Sequence, residues 1–170
     1  MTDTNLRDKV SKIAKSDTEE AYKMTKKINS PWFKSQALSY IARYSDNKKT
    51  MDKAIKESIK VSRLCDDYKI ASVRAWVIVA LAERGFKKEA KKSLDEVVEL
   101  AVRIEPVSSR CEALFNLFQA SYYIDKSIAN KLYERMQSAC PIEEHWRAKR
   151  AMKHAQEIIA DKVKVREYFW

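Results

Sequence analysis

The two histidines, His145 and His154, are the first side chains to test for chemistry, because imidazole serves as acid, base and metal ligand near neutral pH. On one helix, at ~100° per residue, their separation puts them about 180° apart, so they cannot share a metal. Glu143 and Glu144 fall in the first turn expected there, where carboxylates complement the helix dipole. Structural or surface roles are expected for all four. Cys65, Cys111 and Cys140 are odd in number and show no CxxC spacing, which argues against a disulfide framework or a zinc cage. They lie in or beside apolar stripes and read as small core residues. No carboxylate pair stands isolated on an apolar face, and no Ser/His/Asp set can be nominated. The expectation is no catalytic residue, no metal, no cofactor and no enzyme activity.

Lysines offer a different chemistry. Lys49, Lys53, Lys56 and Lys60 fall within about 60° of one another on a helical projection, opposite Ala54, Ile55, Ser58 and Cys65. Such a stripe is either the solvated face of an amphipathic helix or a set of phosphate contacts. Lys23, Lys26, Lys27 and Lys34 add to the same region. Residues 21–60 carry ten basic and three acidic groups, so +7 of the formal net charge of +10 is concentrated there. Lysine outnumbers arginine 23 to 11, and base-specific readers lean on arginine forks. Phosphate binding without sequence specificity is the most such a stripe could support.

The elements that hold these residues are constrained by composition. The chain has 170 residues but Gly 1 and Pro 3. Phosphate-cradling loops need several glycines, because the backbone must approach the phosphate with no Cβ in the way. The single Gly85 thus excludes P-loops, dinucleotide fingerprints and nucleophile elbows, and it argues against turn-rich sandwiches and barrels. Apolar residues at 45% are sufficient for a core, and charged residues at 34% suit helices with solvated faces. The first residues, Met1-Thr2-Asp3-Thr4-Asn5, are polar and unlike a signal peptide, and no apolar run approaches a membrane span. A cytoplasmic protein with no membrane contact is expected.

A repeat organises the chain. Ala37, Ala75, Ala113 and Ala151 are spaced by 38, each followed by a large apolar residue (Leu38, Trp76, Leu114, Met152) and, four residues on, by Ile41, Val79, Leu117 and Ala155. Leu94, Val98, Ala101 and Ile104 repeat at the same offset as Leu132, Met136, Ala139 and Ile142, and Ile55, Ile59 and Cys65 match at 39. Each repeat is therefore two helices. Pro31, Pro106 and Pro141 fall where second helices begin, Ser16-Asp17-Thr18-Glu19 reads as a capping box, and Gly85 reads as a left-handed helix stop. Nine helices are predicted, near 4–15, 17–29, 31–45, 50–65, 68–84, 87–104, 107–123, 126–139 and 142–160. The fold class is all-α: antiparallel hairpins of about 38 residues stacked as an α/α superhelix. One domain spans 1–170, with a leading helix, four hairpins over about 17–160 and a tail at 161–170.

This pattern resembles the tetratricopeptide-like and HEAT-like α/α repeat proteins. Gly85, Ala90, Leu94 and Val97 resemble the turn and second helix of a tetratricopeptide unit. The resemblance implies a binding scaffold, because such arrays present an extended face to a partner, and it brings no catalytic residue with it.

The helix over 68–84 is apolar all round from Ala75 to Ala82, as suits the middle of a stack, whereas Trp146–Ala160 has the thin apolar stripe of a terminal cap. Opposite the core stripe, the repeat columns read Gln36/Tyr40/Arg43, Arg74/Ile78/Leu81, Glu112/Asn116/Gln119 and Arg150/His154/Glu157. An apolar spot at Ile78 and Leu81 inside a polar rim has the layout of a peptide-binding face; the other reading is that the C-terminal segment or a second subunit covers it. The first functional expectation is a non-enzymatic scaffold for protein–protein interaction, binding a peptide or helix there. The alternative is a nucleic-acid-associated protein without sequence specificity, using the basic N-terminal half. Finally, Ala155, Ile159, Val163, Arg166 and Trp170 would form one stripe if the last helix continued. The aromatic ending Tyr168-Phe169-Trp170 is expected to pack on the last hairpin or to join two copies as a homodimer.

Overall fold

A computed structural model describes residues 2–141 and 145–169. Among them are nine helices and no strand: α1 (Asp3–Ile13), α2 (Thr18–Thr25), α3 (Pro31–Tyr44), α4 (Lys48–Ser62), α5 (Asp67–Glu83), α6 (Lys87–Ala101), α7 (Val107–Ser121), α8 (Lys126–Ala139) and α9 (Trp146–Ile159). The helix predicted over 142–160 starts at Trp146; Ile142, Glu143 and Glu144 lie outside the described residues.

Local chemistry sets the ends. Side chains of Asp17, Asn47, Asp66 and Asp125 accept backbone N–H bonds at the starts of α2, α4, α5 and α8. Asp17, rather than Ser16, is the cap of α2. Pro31 opens α3, where a missing N–H costs nothing, and Pro106 stands immediately before α7. Gly85 ends α5 at φ +84, and the Phe86 N–H reaches back to the Leu81 carbonyl at 2.9 Å, the long closing bond of a left-handed helix stop.

Packing forms two layers. The odd-numbered helices lie side by side in chain order, α1 on α3, α3 on α5, α5 on α7 and α7 on α9, while α2, α4, α6 and α8 pack against that row. The repeat columns are the core of the row. Ala37, Ala75, Ala113 and Ala151 are all buried, with Leu38, Trp76, Leu114 and Met152 and with Ile41, Val79, Leu117 and Ala155. Small side chains at the shared position let neighbouring helices approach, and the large residue beside each fills the space. Helix α5, in the middle of the row, is buried continuously from Val73 to Ala82. By packing, α3 pairs more extensively with α4 and α5 with α6 than either does with the helix before it, so the hairpin unit is odd-then-even. The frame from residue 17 groups the same helices the other way. Inside the α3/α4 pair the Ser35 and Ser58 hydroxyls hydrogen-bond at 2.8 Å in a fully buried contact.

The chain does not continue α9 as a helix. Asp161 takes a left-handed φ of +56, and the N–H groups of Lys162 and Val163 both turn back to the Glu157 carbonyl. The predicted helical stripe through Val163 and Arg166 is therefore broken, and Val163 is exposed. Beyond this reversal the tail runs in a non-helical conformation back toward α3. No helix among the described residues is long and apolar enough to cross a membrane.

Candidate peptide-binding face

What the tail crosses is the row of odd-numbered helices, in reverse chain order. At α7 both main-chain groups of Arg166 are held by side chains: its N–H donates to Gln119 Oε1 at 3.2 Å, and its carbonyl accepts from the Tyr123 hydroxyl at 2.7 Å. Its guanidinium lies over the Trp76 ring at 5.6 Å and the Tyr168 ring at 4.8 Å. Tyr168, 1% exposed, packs edge-on against Trp76 and Tyr123, and its hydroxyl donates to the Asn116 carbonyl at 2.8 Å. Phe169 carries the crossing on to α3, edge-on to Trp76 at 5.5 Å, Tyr40 at 5.2 Å and Tyr44 at 6.5 Å. Trp170 lies outside the described residues.

The repeat columns nominated from sequence do not form one solvent-facing surface. Gln36, Tyr40, Arg74, Ile78, Leu81 and Gln119 are buried, Arg43, Glu112 and Asn116 are half-buried, and Arg150 and His154 are exposed. Residues equivalent in register look at different neighbours. Gln36 accepts from Arg7 on α1, Arg43 pairs with Glu83, and Glu112 meets Arg150 at 2.9 Å. Arg74 turns to α6, donating to Ser93 at 3.0 Å, and burial pulls its guanidinium below its usual range. The expected apolar spot at Ile78 and Leu81 is not open, because α5 is packed on α3, α4, α6 and α7. From the nominated columns the tail gathers Tyr40, Asn116 and Gln119. Sequence reasoning missed Tyr44, Trp76 and Tyr123. Trp76 belongs to the core stripe as well, and the usable signal is the pair Tyr168-Phe169, whose rings need aromatic partners to be buried.

Burial pushes the phenols of Tyr168, Tyr40 and Tyr123 above the usual tyrosine value near 10. Each docked phenol is thus favoured in its neutral form. A folded value above the free one contributes stability that is complete below pH about 10 and is lost as pH rises through the raised value. Acrylamide quenching of tryptophan is expected to increase above pH about 10 as the tail leaves Trp76. Tyr168→Phe, which cannot ionise, is expected to give a shallower rise. Identical alkaline profiles would contradict this account of docking.

The lysine stripe sits on the opposite layer. Lys49, Lys53, Lys56 and Lys60 are all exposed and line one side of a groove of about 900 Å³ that also includes Tyr22, Lys48, Asp52 and Glu57. The Lys53 ammonium lies 4.3 Å from the centre of the Tyr22 ring. The Tyr22 hydroxyl donates to Glu57, and burial together with that carboxylate pushes the phenol up to about 12. Lys34 also pairs with Glu57, and Lys48 with Asp52 at 2.7 Å. Part of the positive charge is therefore neutralised within the groove.

The remaining candidates are placed simply. His145 caps α9, its Nδ1 accepting from the Arg147 N–H at 3.2 Å, while His154 lies beside Phe115. Cys111 and Cys140 are buried free thiols in mutual contact; the Cys140 thiol hydrogen-bonds to Cys111 and lowers its pKa, whereas that bond and burial raise Cys140's own. Among the described residues no three His, Cys, Asp or Glu side chains gather into a metal site. Compared with known protein families, curated proteins and solved structures, the chain matches none.

Proposed function

We propose that this protein is a non-enzymatic interaction scaffold, a tetratricopeptide-like or HEAT-like array that binds a peptide across α3, α5 and α7. One observation supports the reading above the others: a non-helical segment of the chain already lies across that row. It is held by main-chain hydrogen bonds to Gln119 and Tyr123 and by insertion of aromatic side chains. Main-chain bonds supply affinity and side-chain pockets supply choice, the usual division in peptide recognition. A second reading rests on the exposed lysines of α4: weak binding of RNA or DNA through phosphates.

The test is a random-peptide display selection against the full chain carrying Tyr168→Ala and Phe169→Ala, beside a gel-retardation assay on the unaltered protein. Peptides whose binding is lost on Trp76→Ala are the expected result, and recovery of none would end the first reading. Retardation of RNA that falls steeply with salt and disappears with Lys53→Glu and Lys56→Glu would favour the second. No retardation at low salt would eliminate it.

A further inference from the structure

The tail shows which ligand chemistry the face accepts. Its first requirement is a residue whose N–H and carbonyl can both be clamped, which Gln119 and Tyr123 do at Arg166. Proline is excluded there, since it has no N–H to offer. At the same residue a planar cation is favoured, because Trp76 presents its ring face to the guanidinium. Two residues on, the position is enclosed and ends at the Asn116 carbonyl, so it suits an aromatic side chain with a hydroxyl donor at its tip. Phenylalanine would fill the space but leave that contact unmade. The next position meets Tyr40, Tyr44 and Trp76 in edge-on packing, which suits an unsubstituted aromatic ring.

Resting on the peptide-binding reading above, we infer that this cradle recognises a non-helical Arg-x-Tyr-Phe segment of a partner protein, which displaces the chain's own Arg166–Phe169. The resident tail sets the threshold. A partner must compete with a tethered copy of the same chemistry, so its apparent affinity is reduced by the fraction of time that the cradle is open. Substitutions that weaken the tail raise that fraction without touching the cradle.

The probe is a fluorescein-labelled peptide with the sequence of residues 163–169, titrated into the full chain and followed by polarisation. The Tyr168→Ala, Phe169→Ala variant is expected to bind it about tenfold or more tightly than the unaltered protein does. A control peptide with alanine in place of its own tyrosine and phenylalanine is expected to lose at least about tenfold, as is the double variant when Trp76→Ala is added. Phe169→Ala alone, which removes one half-buried ring, provides the same comparison if the double variant does not fold by circular dichroism. The inference is overturned if a folded variant binds the peptide no better than it binds the alanine control. It is also overturned if binding is indifferent to Trp76→Ala. Peptides of other sequence recovered by display, with Trp76-dependent binding, would then still uphold the broader reading; if these are absent as well, both fail.

Discussion

Replacing Ala113 with tryptophan is expected to produce a large loss of stability in this protein. Ala113 is completely buried on α7, which packs against α5, α8 and α9 at once. Its methyl group occupies the shared small position of the repeat, which is buried in each of the four helices that carry it. An indole there has no cavity to enter, so it must drive α7 away from a neighbour or adopt a strained rotamer. Adding even a few methylenes to a packed core costs about 1–3 kcal/mol, and a whole indole is expected to cost about 3 kcal/mol or more. For a chain of this size each kcal/mol lowers the melting temperature by roughly 2–4 °C. The comparison variant is Lys53→Ala. It removes an exposed ammonium resting over Tyr22, worth under about 1 kcal/mol at such a site. Thermal melts of both variants decide the matter, and equal melting temperatures would contradict the repeat register.

The second large effect is expected at the tail. Tyr168→Ala removes a buried ring that touches Trp76 and Tyr123, together with the hydrogen bond to Asn116. Truncating a buried aromatic typically costs about 3–5 kcal/mol, but a non-helical segment laid on a helical row can detach and rehydrate locally, so the loss is capped at the free energy of docking. A fall of about 3 kcal/mol at most is expected, along with faster acrylamide quenching of Trp76 and faster amide exchange at Arg166. Deleting residues 167–170 is expected to have the same effect in one step. Unchanged melting and unchanged quenching would mean that the tail contributes nothing to the fold. A change in mass in solution on deletion would instead assign the contact to a second copy.

Much of the fold was legible because it rests on local rules. One glycine in the chain leaves few options besides helices joined by short turns, and alanines at a fixed period mark where helices must approach. Both follow from steric facts that hold wherever the segment lies. The direction of the repeat columns was less legible. Arg74 and Glu112 are equivalent by register, yet one bonds to Ser93 on α6 and the other to Arg150 on α9, because each long side chain turns to the polar partner that its own surroundings offer. Register gives an angle about one helix axis, and it carries no information on how that axis is turned relative to the next.

The amino-acid sequence alone determined the number and order of the helices, the buried alanine columns, the left-handed stop at Gly85 and the absence of glycine-rich phosphate loops. It also marked Tyr168-Phe169 as an aromatic pair that should not be left in water. Tertiary structure decided where that pair goes. Continuing α9 would have kept every backbone hydrogen bond, but a straight helix would have carried Tyr168 and Phe169 away from the row. The reversal at Asp161 gives up the helix for one strained residue, and what offsets it lies far off in sequence: Trp76, Tyr40 and Tyr44, with Gln119 and Tyr123 receiving the freed main chain. Local propensity cannot register partners so far away along the chain, because they become neighbours only after the odd-numbered helices have stacked.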